Sequence, residues 1–309
     1  MSRTGTRHTG VRPGIVFPVA LALITLLVGC ASAAKPGRSV AHGDDPGAII
    51  EAHTAQVSAD GPYRDPTSDE RARGRDAIRK LLAHPDDEAG QDAAFGKLGY
   101  TTAHGVDPIT NRRYSMFSMS PTSAPAWGIL LVDRSAPPRV VFEVPHPGFD
   151  INTDDLGVSL YHLVPGSVLL VAGQHRLAGG GAADVAHNDK SMFHAMATEF
   201  AKGGLGQVQL HGFADKNLPD AQVVVSTGVG QVTKAAKDIA DGLKAGGLIV
   251  CRAWATTCGR LEGTSNEQGK AADEIGAQFL HLELGWVVRR DPQLRDVVAR
   301  VVAGHLPIS

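Results

Sequence analysis

Short aliphatic runs alternate with helical stretches along most of the chain. Seven runs have the apolar character of strands buried in a sheet: Gly128–Val132, Val140–Val144, Val168–Val171, Gln207–Leu210, Ala221–Val225, Leu248–Cys251 and Gln278–Leu284. Helical stretches separate or follow several of them: Asp155–Leu163, Lys190–Lys202, Val229–Ala245, Asn266–Gly276 and Asp291–Ala303. This alternation predicts an α/β fold, a three-layer sandwich in which helices flank a mixed, largely parallel sheet.

The chain before these runs has a different character. Residues 30–68 are rich in small and polar residues and lack sustained apolar periodicity, which predicts a tether, with a short helix over Ala48–Val57. Two further helices are predicted over Asp69–Leu82 and Asp86–Phe95. We therefore expect a single α/β domain over residues 69–309.

The N-terminus has the pattern of an export signal. The first 14 residues carry three arginines and no acidic residue, and an apolar run from Ile15 to Val28 follows. The run is shorter than a comfortable membrane span. It ends in Leu-Val-Gly-Cys at Cys30, which resembles the bacterial lipobox. The pattern predicts a lipoprotein signal peptide over residues 1–29 and acylation of Cys30, with palmitate among the acyl chains. The chain would then be held at the extracytoplasmic face of the cell membrane.

Composition narrows the choice of partners. The chain is 43% hydrophobic and 20% charged, with a formal net charge of −2, so nothing in its charge favours nucleic acid as a partner. An exported protein folds in an oxidising compartment. Cys251 and Cys258, seven positions apart, are therefore interpreted as a disulfide in preference to two separate buried thiols.

Polar side chains follow or occupy several of the predicted strands. His146 and Asp150 come after the second run, Arg176 after the third and His211 after the fourth, while Glu283 lies inside the last. Because the carboxyl ends of strands form the sites of open α/β sheets, these residues are expected to meet. Imidazoles and a carboxylate from separate strands suit a catalytic zinc ion. We predict His146, Asp150 and His211 as ligands, Glu283 as the proton carrier, and Arg176 as the group that stabilises an oxyanion or binds a substrate carboxylate.

This order of residues resembles the zinc carboxypeptidase and N-formylglutamate amidohydrolase group, over roughly residues 128–290. The resemblance implies a phosphorylase/hydrolase-like fold and hydrolysis of an amide bond next to a carboxylate, in a small molecule or a peptide. In zinc carboxypeptidases the first ligands stand as His-x-x-Glu, whereas this chain has His146-x-x-x-Asp150. Glu143 and Asp154 are therefore kept as alternatives to Asp150.

Two further segments are candidates for contact with substrate. Asp184, His187 and Asn188 follow three consecutive glycines, and we favour a substrate-binding loop here. The alternatives are an Asx-rich turn that leads to a helix N-cap, and a metal-binding pair of Asp184 and His187. Asn266 is the first residue of the predicted helical stretch Asn266–Gly276 and is expected either to cap the helix or to contact substrate.

Two functions of different classes follow from these patterns. The first is a surface-anchored metal-dependent hydrolase, with zinc as the expected ion. The second is a lipoprotein of related fold that binds an anionic ligand through Arg176 without catalysis. The metal content of the purified protein distinguishes the two.

Overall fold

The computed structural model describes residues 44–306. The predicted signal peptide, Cys30 and the first part of the predicted tether lie outside the described residues, so their predictions are untested. Within residues 44–306, no helix combines the length and the apolar character needed to cross a membrane.

The described residues form a sheet of nine strands and nine α-helices, together with three short 3₁₀ helices. The strands are β1 (Thr101–Val106), β2 (Arg113–Ser118), β3 (Ile129–Asp133), β4 (Val140–Val144), β5 (Ser167–Val171), β6 (Gly206–Phe213), β7 (Val223–Ser226), β8 (Val250–Arg252) and β9 (Phe279–Gly285). The helices are α1 (Pro46–Thr54), α2 (Ser68–Ala83), α3 (Glu88–Gly96), α4 (Thr153–Leu163), α5 (Met192–Lys202), α6 (Lys234–Ala245), α7 (Glu267–Glu274), α8 (Trp286–Arg289) and α9 (Pro292–His305).

The sheet is mixed, with the strand order β1-β2-β3-β5-β4-β6-β9-β7-β8. Strands β5, β4, β6 and β9 run parallel to one another in its centre, and β7 is parallel to β8. The remaining neighbours are antiparallel. Helices cover both faces, and this architecture confirms the predicted fold class of a three-layer α/β sandwich with a mixed sheet.

Two features of the sheet differ from the sequence prediction. The hairpin of β1 and β2 was not among the predicted strands, because its alternating polar residues lack a continuous apolar run. Strand β6 continues to Phe213, since it pairs with β9 as far as Gly285. His211 therefore lies inside a strand, whereas the sequence placed it just after one.

The two faces of the central strands have opposite character. Alternate residues of β4, β6 and β9, such as Phe142, Leu210 and Leu282, enter an apolar core shared with α1, α4, α6 and α9. The residues between them on β6 and β9 are mostly polar, as in the sequence Phe-Leu-His-Leu-Glu-Leu-Gly of β9. Because side chains of a strand point to opposite faces in turn, these polar residues share the other face of the sheet.

The segment that includes α1 belongs to the domain. Asp45 caps α1 through the backbone N–H of Gly47, and Ile50 is 1% exposed within the apolar core. The Thr54 hydroxyl donates a hydrogen bond to Asp154 at the start of α4 (2.6 Å). The described part of the predicted tether is therefore packed into the fold, because the few apolar side chains of this polar stretch pack beside α4.

Candidate metal centre

The turn that follows β4 brings the first two candidate ligands together. The carbonyl of His146 accepts hydrogen bonds from the backbone N–H groups of Phe149 (3.2 Å) and Asp150 (2.9 Å). Gly148 supplies the left-handed conformation that this turn requires, with φ of +74°. His146 and Asp150 consequently lie one turn apart on the same side of the loop, at the carboxyl end of β4.

Three buried side chains converge here from β6 and the β4–α4 turn. His146 Nδ1 lies 3.0 Å from Asp150 Oδ2 and 3.2 Å from His211 Nδ1. His211 Nδ1 lies 3.4 Å from the same carboxylate oxygen. The three residues are 1%, 2% and 4% exposed, respectively. One atom of each residue therefore forms a corner of a nearly equilateral triangle inside the protein.

The size of this triangle suits a small cation. Zinc binds imidazole nitrogen and carboxylate oxygen at about 2.0–2.2 Å in a tetrahedral arrangement, so two ligand atoms stand about 3.3 Å apart. The observed separations of 3.0, 3.2 and 3.4 Å cluster around that value. Three protein ligands also leave a fourth position for water or substrate, which is the arrangement of catalytic zinc sites.

The opposite nitrogens of both imidazoles have fixed partners. His146 Nε2 donates to the carboxylate of Asp184 (2.8 Å), and His211 Nε2 donates to the amide oxygen of Gln209 (2.6 Å). Because each neutral imidazole carries one N–H, these bonds leave the Nδ1 lone pairs of both rings directed at the centre of the triangle. Partners of this kind orient metal-binding histidines in general.

The ionisation of Asp150 and His211 also favours a cation. Burial alone would raise the pKa of Asp150, but the two imidazoles of His146 and His211 next to its carboxylate outweigh it and hold the pKa well below its usual range. Burial, aided by the neighbouring His281, lowers the pKa of His211 to about 3. Burial also opposes charge on His146, but the carboxylates of Asp150 and Asp184 on its two sides raise its pKa overall, so a metal ion at this ring competes with a proton. A charged carboxylate beside a neutral imidazole is the state that metals bind.

A second group of potential ligands shares one histidine with the first. His146, Asp184 and His187 also have ligand atoms close together. Asp184 accepts hydrogen bonds from both rings, at 2.8 Å from His146 and 3.0 Å from His187, and its carboxylate is further paired with Arg176. These bonds account for the proximity of the three residues without a metal, and the His187 side chain is 44% exposed. The buried triangle is therefore the stronger candidate for a metal site.

Glu283 lies beside this triangle. It pairs directly with His211 across β6 and β9, so the two side chains share one face of the sheet. Its side chain is 12% exposed, and its Oε2 atom has no hydrogen-bond partner in the described part of the chain. The Oε1 atom of Glu283 lies 3.5 Å from His281 Nε2, and neither ring nitrogen of His281 forms a hydrogen bond in the described part of the chain. Arg289 forms no ion pair with Glu283 in the described residues; it donates to three backbone carbonyls instead.

A cavity of about 600 Å³ opens over the triangle. Arg176 and Arg260 are among the residues that line it. Arg176 is bound to Asp184 and lies over the ring of Phe149, 5.0 Å from the ring centroid. Arg260 is exposed and forms no ion pair in the described residues. It lies two residues after Cys258, whose disulfide with Cys251 closes a loop at the end of β8.

The structure gives several of the predicted substrate-binding residues other contacts. Asn188 does not line the cavity; its amide donates to Asp65 (2.8 Å) and to the carbonyl of Ala182 (2.7 Å), as part of the turn that leads to α5. Asp184 supports His146, as described above. Asn266 lines the cavity and caps α7 through the N–H of Gly269 (3.0 Å).

The two alternatives to Asp150 lie away from the triangle. Asp154 is bound to α1 through Thr54. Glu143 is fully buried on β4 and accepts a hydrogen bond from Gln209 (2.7 Å). Gln209 itself was missed, because an amide without charge or metal affinity gives no signal in a search for ligands. The alternation of Gln207, Gln209 and His211 with aliphatic residues in β6 is the pattern that points to it.

Replacing Glu143 with glutamine should change how stability depends on pH. Burial raises the pKa of Glu143 to about 8, against a bond from Gln209 that lowers it less. The folded protein therefore retains this proton above the pKa of the unfolded chain, and the wild type loses stability as pH rises from about 5 to about 8. Glu143→Gln lacks that loss. Urea denaturation of both proteins, with metal removed, measures the difference; parallel profiles of stability against pH would contradict the assignment.

Comparisons with known proteins give a partial likeness in structure only. No family model and no curated protein matches the chain. A bacteriophage poly-gamma-glutamate hydrolase is 19% identical, with a TM-score of 0.42 over 54% of this chain and 83% of its own. The zinc-free form of YndL is 16% identical, with a TM-score of 0.38 over 53% and 84% of the two chains. An aspartoacylase family protein from Mesorhizobium loti is 9% identical, with a TM-score of 0.37 over 64% and 63%. Identities and TM-scores this low carry no information about function.

Proposed function

We propose that this chain is a lipid-anchored, zinc-dependent hydrolase that cleaves an amide bond near a carboxylate at the outer face of the cell membrane. The observation that carries the proposal is the triangle of His146 Nδ1, Asp150 Oδ2 and His211 Nδ1, with separations of 3.0 to 3.4 Å and with the opposite ring nitrogens held by hydrogen bonds. When bound there, zinc acidifies water and polarises a carbonyl oxygen.

Glu283 is the group that moves the proton. Its free carboxylate oxygen lies on the face of the sheet that carries His211, and it lines the same cavity. It takes a proton from the attacking water and delivers it to the nitrogen of the departing amine. A protein that only binds a ligand needs no carboxylate in this position, so Glu283 favours the hydrolase over the binding lipoprotein.

The carboxylate of the substrate is bound at the mouth of the cavity. The sequence suggested Arg176 for this task, but its guanidinium is bound to Asp184 and thereby supports His146. Arg260 is exposed on the rim and has no ion-pair partner among residues 44–306. We assign the carboxylate to Arg260, because a guanidinium and a carboxylate form paired, charge-assisted hydrogen bonds.

The test combines metal analysis with hydrolysis. Purified protein should contain about one zinc ion per chain, and it should hydrolyse N-acylated amino acids with a free carboxylate in preference to the same compounds with that carboxylate amidated. Removal of zinc with a chelator should abolish hydrolysis, and added zinc should restore it. Hydrolysis that continues at full rate after complete removal of metal would rule out the proposal.

Anchoring is tested separately. Cys30→Ala should move the exported protein from the membrane fraction to the soluble fraction, because the acylated cysteine is the proposed anchor. Fractionation followed by immunoblotting measures this, with labelled palmitate as a second probe. A Cys30→Ala protein that stays in the membrane fraction and still takes up palmitate would contradict the predicted lipidation site.

A further inference from the structure

Gln209 occupies the centre of a buried hydrogen-bond network behind the candidate metal centre. Its Oε1 atom accepts hydrogen bonds from His211 Nε2 (2.6 Å) and from the Asn266 amide. Its Nε2 atom donates to Glu143 Oε2 (2.7 Å) and to Gln268 Oε1 (3.1 Å). The amide of Gln209 thus uses two donors and two acceptor positions, all away from solvent. An amide with these bonds has one orientation only if its partners are themselves fixed.

One end of the network is fixed by a backbone carbonyl. Gln268 Nε2 donates to the carbonyl oxygen of Val185 (2.9 Å), and a carbonyl oxygen can only accept. The NH₂ group of Gln268 must therefore face Val185, which turns its Oε1 atom toward Gln209. Facing an acceptor, Gln209 must present its own NH₂ group on that side.

The other end is fixed by a backbone N–H. Asn266 Oδ1 accepts from the N–H of Gly269 (3.0 Å), and that group can only donate. The NH₂ group of Asn266 consequently faces Gln209 and requires an acceptor there. The carbonyl of Val185 and the N–H of Gly269 thus impose the same orientation on Gln209 from two independent directions.

We propose that Gln209 is a positioning residue that sets the tautomer of His211, and that its orientation is dictated by Val185 and Gly269 through Gln268 and Asn266. The oxygen of Gln209 faces His211 Nε2, so the proton of the imidazole lies on Nε2 and the lone pair on Nδ1. The proposal rests on the proposed function in one respect: the lone pair on Nδ1 of His211 is the one that would bind the metal. A reversed amide would place a proton at Nδ1 and block that ligand.

The sharpest test is an isosteric change at Asn266. In Asn266→Asp, one carboxylate oxygen still accepts from the N–H of Gly269, so the helix cap is kept. The other oxygen then faces Gln209 Oε1, and two acceptors repel each other. A reversed Gln209 amide would instead face the neutral amide oxygen of Gln268, which repels it less than a charged carboxylate does. We therefore expect the Gln209 amide to reverse and to direct its NH₂ group at His211. The matched control is Asn266→Ser, which also caps the helix but brings no second oxygen, so Gln268 continues to orient Gln209.

Two readouts decide the outcome. Zinc affinity, measured by competition with a chelator, should be about 10–100-fold weaker in Asn266→Asp than in Asn266→Ser, the range found when partners of metal ligands are lost. Nitrogen-15 NMR of the zinc-free wild type should show His211 protonated on Nε2. Equal zinc affinities of the two variants, or an Nδ1 proton in the zinc-free wild type, would overturn the proposal.

The NMR readout is independent of the proposed function. If the wild type bound no zinc, the hydrolase proposal would fail, while an Nε2 proton on His211 would still support the role of Gln209. A second set of variants tests the proposal if Asn266→Asp folds poorly. Asn266→Ser and Gln268→Met each leave one anchor in place and should weaken zinc binding little, whereas the double variant should weaken it by more than the product of the two single effects. A purely multiplicative result would contradict redundant anchoring.

Discussion

Replacing Glu283 with glutamine is expected to lower kcat for amide hydrolysis about 10²–10⁴-fold, the usual contribution of a positioned general base, while zinc stays bound. The substitution keeps the shape of the side chain and removes its ability to accept a proton. Glu283 lies outside the triangle of ligand atoms, so the metal content should be that of the wild type.

The matched control is Glu274→Gln, because Glu274 is exposed at the end of α7 and does not line the cavity. Its kcat should equal that of the wild type. Steady-state kinetics on an N-acylated amino acid, with zinc content measured on the same samples, provides the comparison. If Glu283→Gln kept at least half of the wild-type kcat with zinc fully bound, another group would have to move the proton.

Replacing His211 with alanine is expected to weaken zinc binding by more than about 100-fold, since loss of a partner of a ligand alone costs about 10–100-fold. The remaining pair of His146 and Asp150 leaves the cation with two protein ligands. Zinc at 100 times its wild-type Kd should raise the unfolding free energy of the wild type by about 2.7 kcal/mol, and that of His211→Ala by about 0.4 kcal/mol or less.

His187→Ala is the informative control, because His187 belongs to the group of potential ligands that also contains His146 and Asp184. If the metal lies at the buried triangle, this variant binds zinc like the wild type. Thermal denaturation with and without zinc measures both proteins. A loss of the zinc effect in His187→Ala but not in His211→Ala would move the metal to the site beside Asp184.

The architecture could be predicted from the sequence because most of the buried strands consist of short, continuous aliphatic runs. The aliphatic runs of β4 and β5 appear as continuous apolar residues, and both strands lie at the predicted positions within one residue. Strands β1 and β2 lacked such a run and depend on pairing with each other and with β3. Pairing between distant segments leaves little trace in local hydrophobicity, so strand ends and edge strands are the parts that the pattern missed.

The candidate ligands could be predicted because polar side chains cluster where strands end. His146, Asp150 and His211 were selected on that rule, and the structure brings them together. Their supporting residues could not be selected in the same way. The roles of Asp184 and Gln209 depend on which ring nitrogen each one faces, and that depends on the three-dimensional course of β6 and of the loop before α5.

The position of the metal ion tests the account most directly. Crystals of the zinc-loaded protein, measured at the zinc absorption edge, should give one strong anomalous peak about 2.0–2.2 Å from His146 Nδ1, His211 Nδ1 and a carboxylate oxygen of Asp150. A peak bound instead by His146 Nε2, Asp184 and His187, or the absence of any peak at these histidines, would contradict the metal centre proposed for this chain.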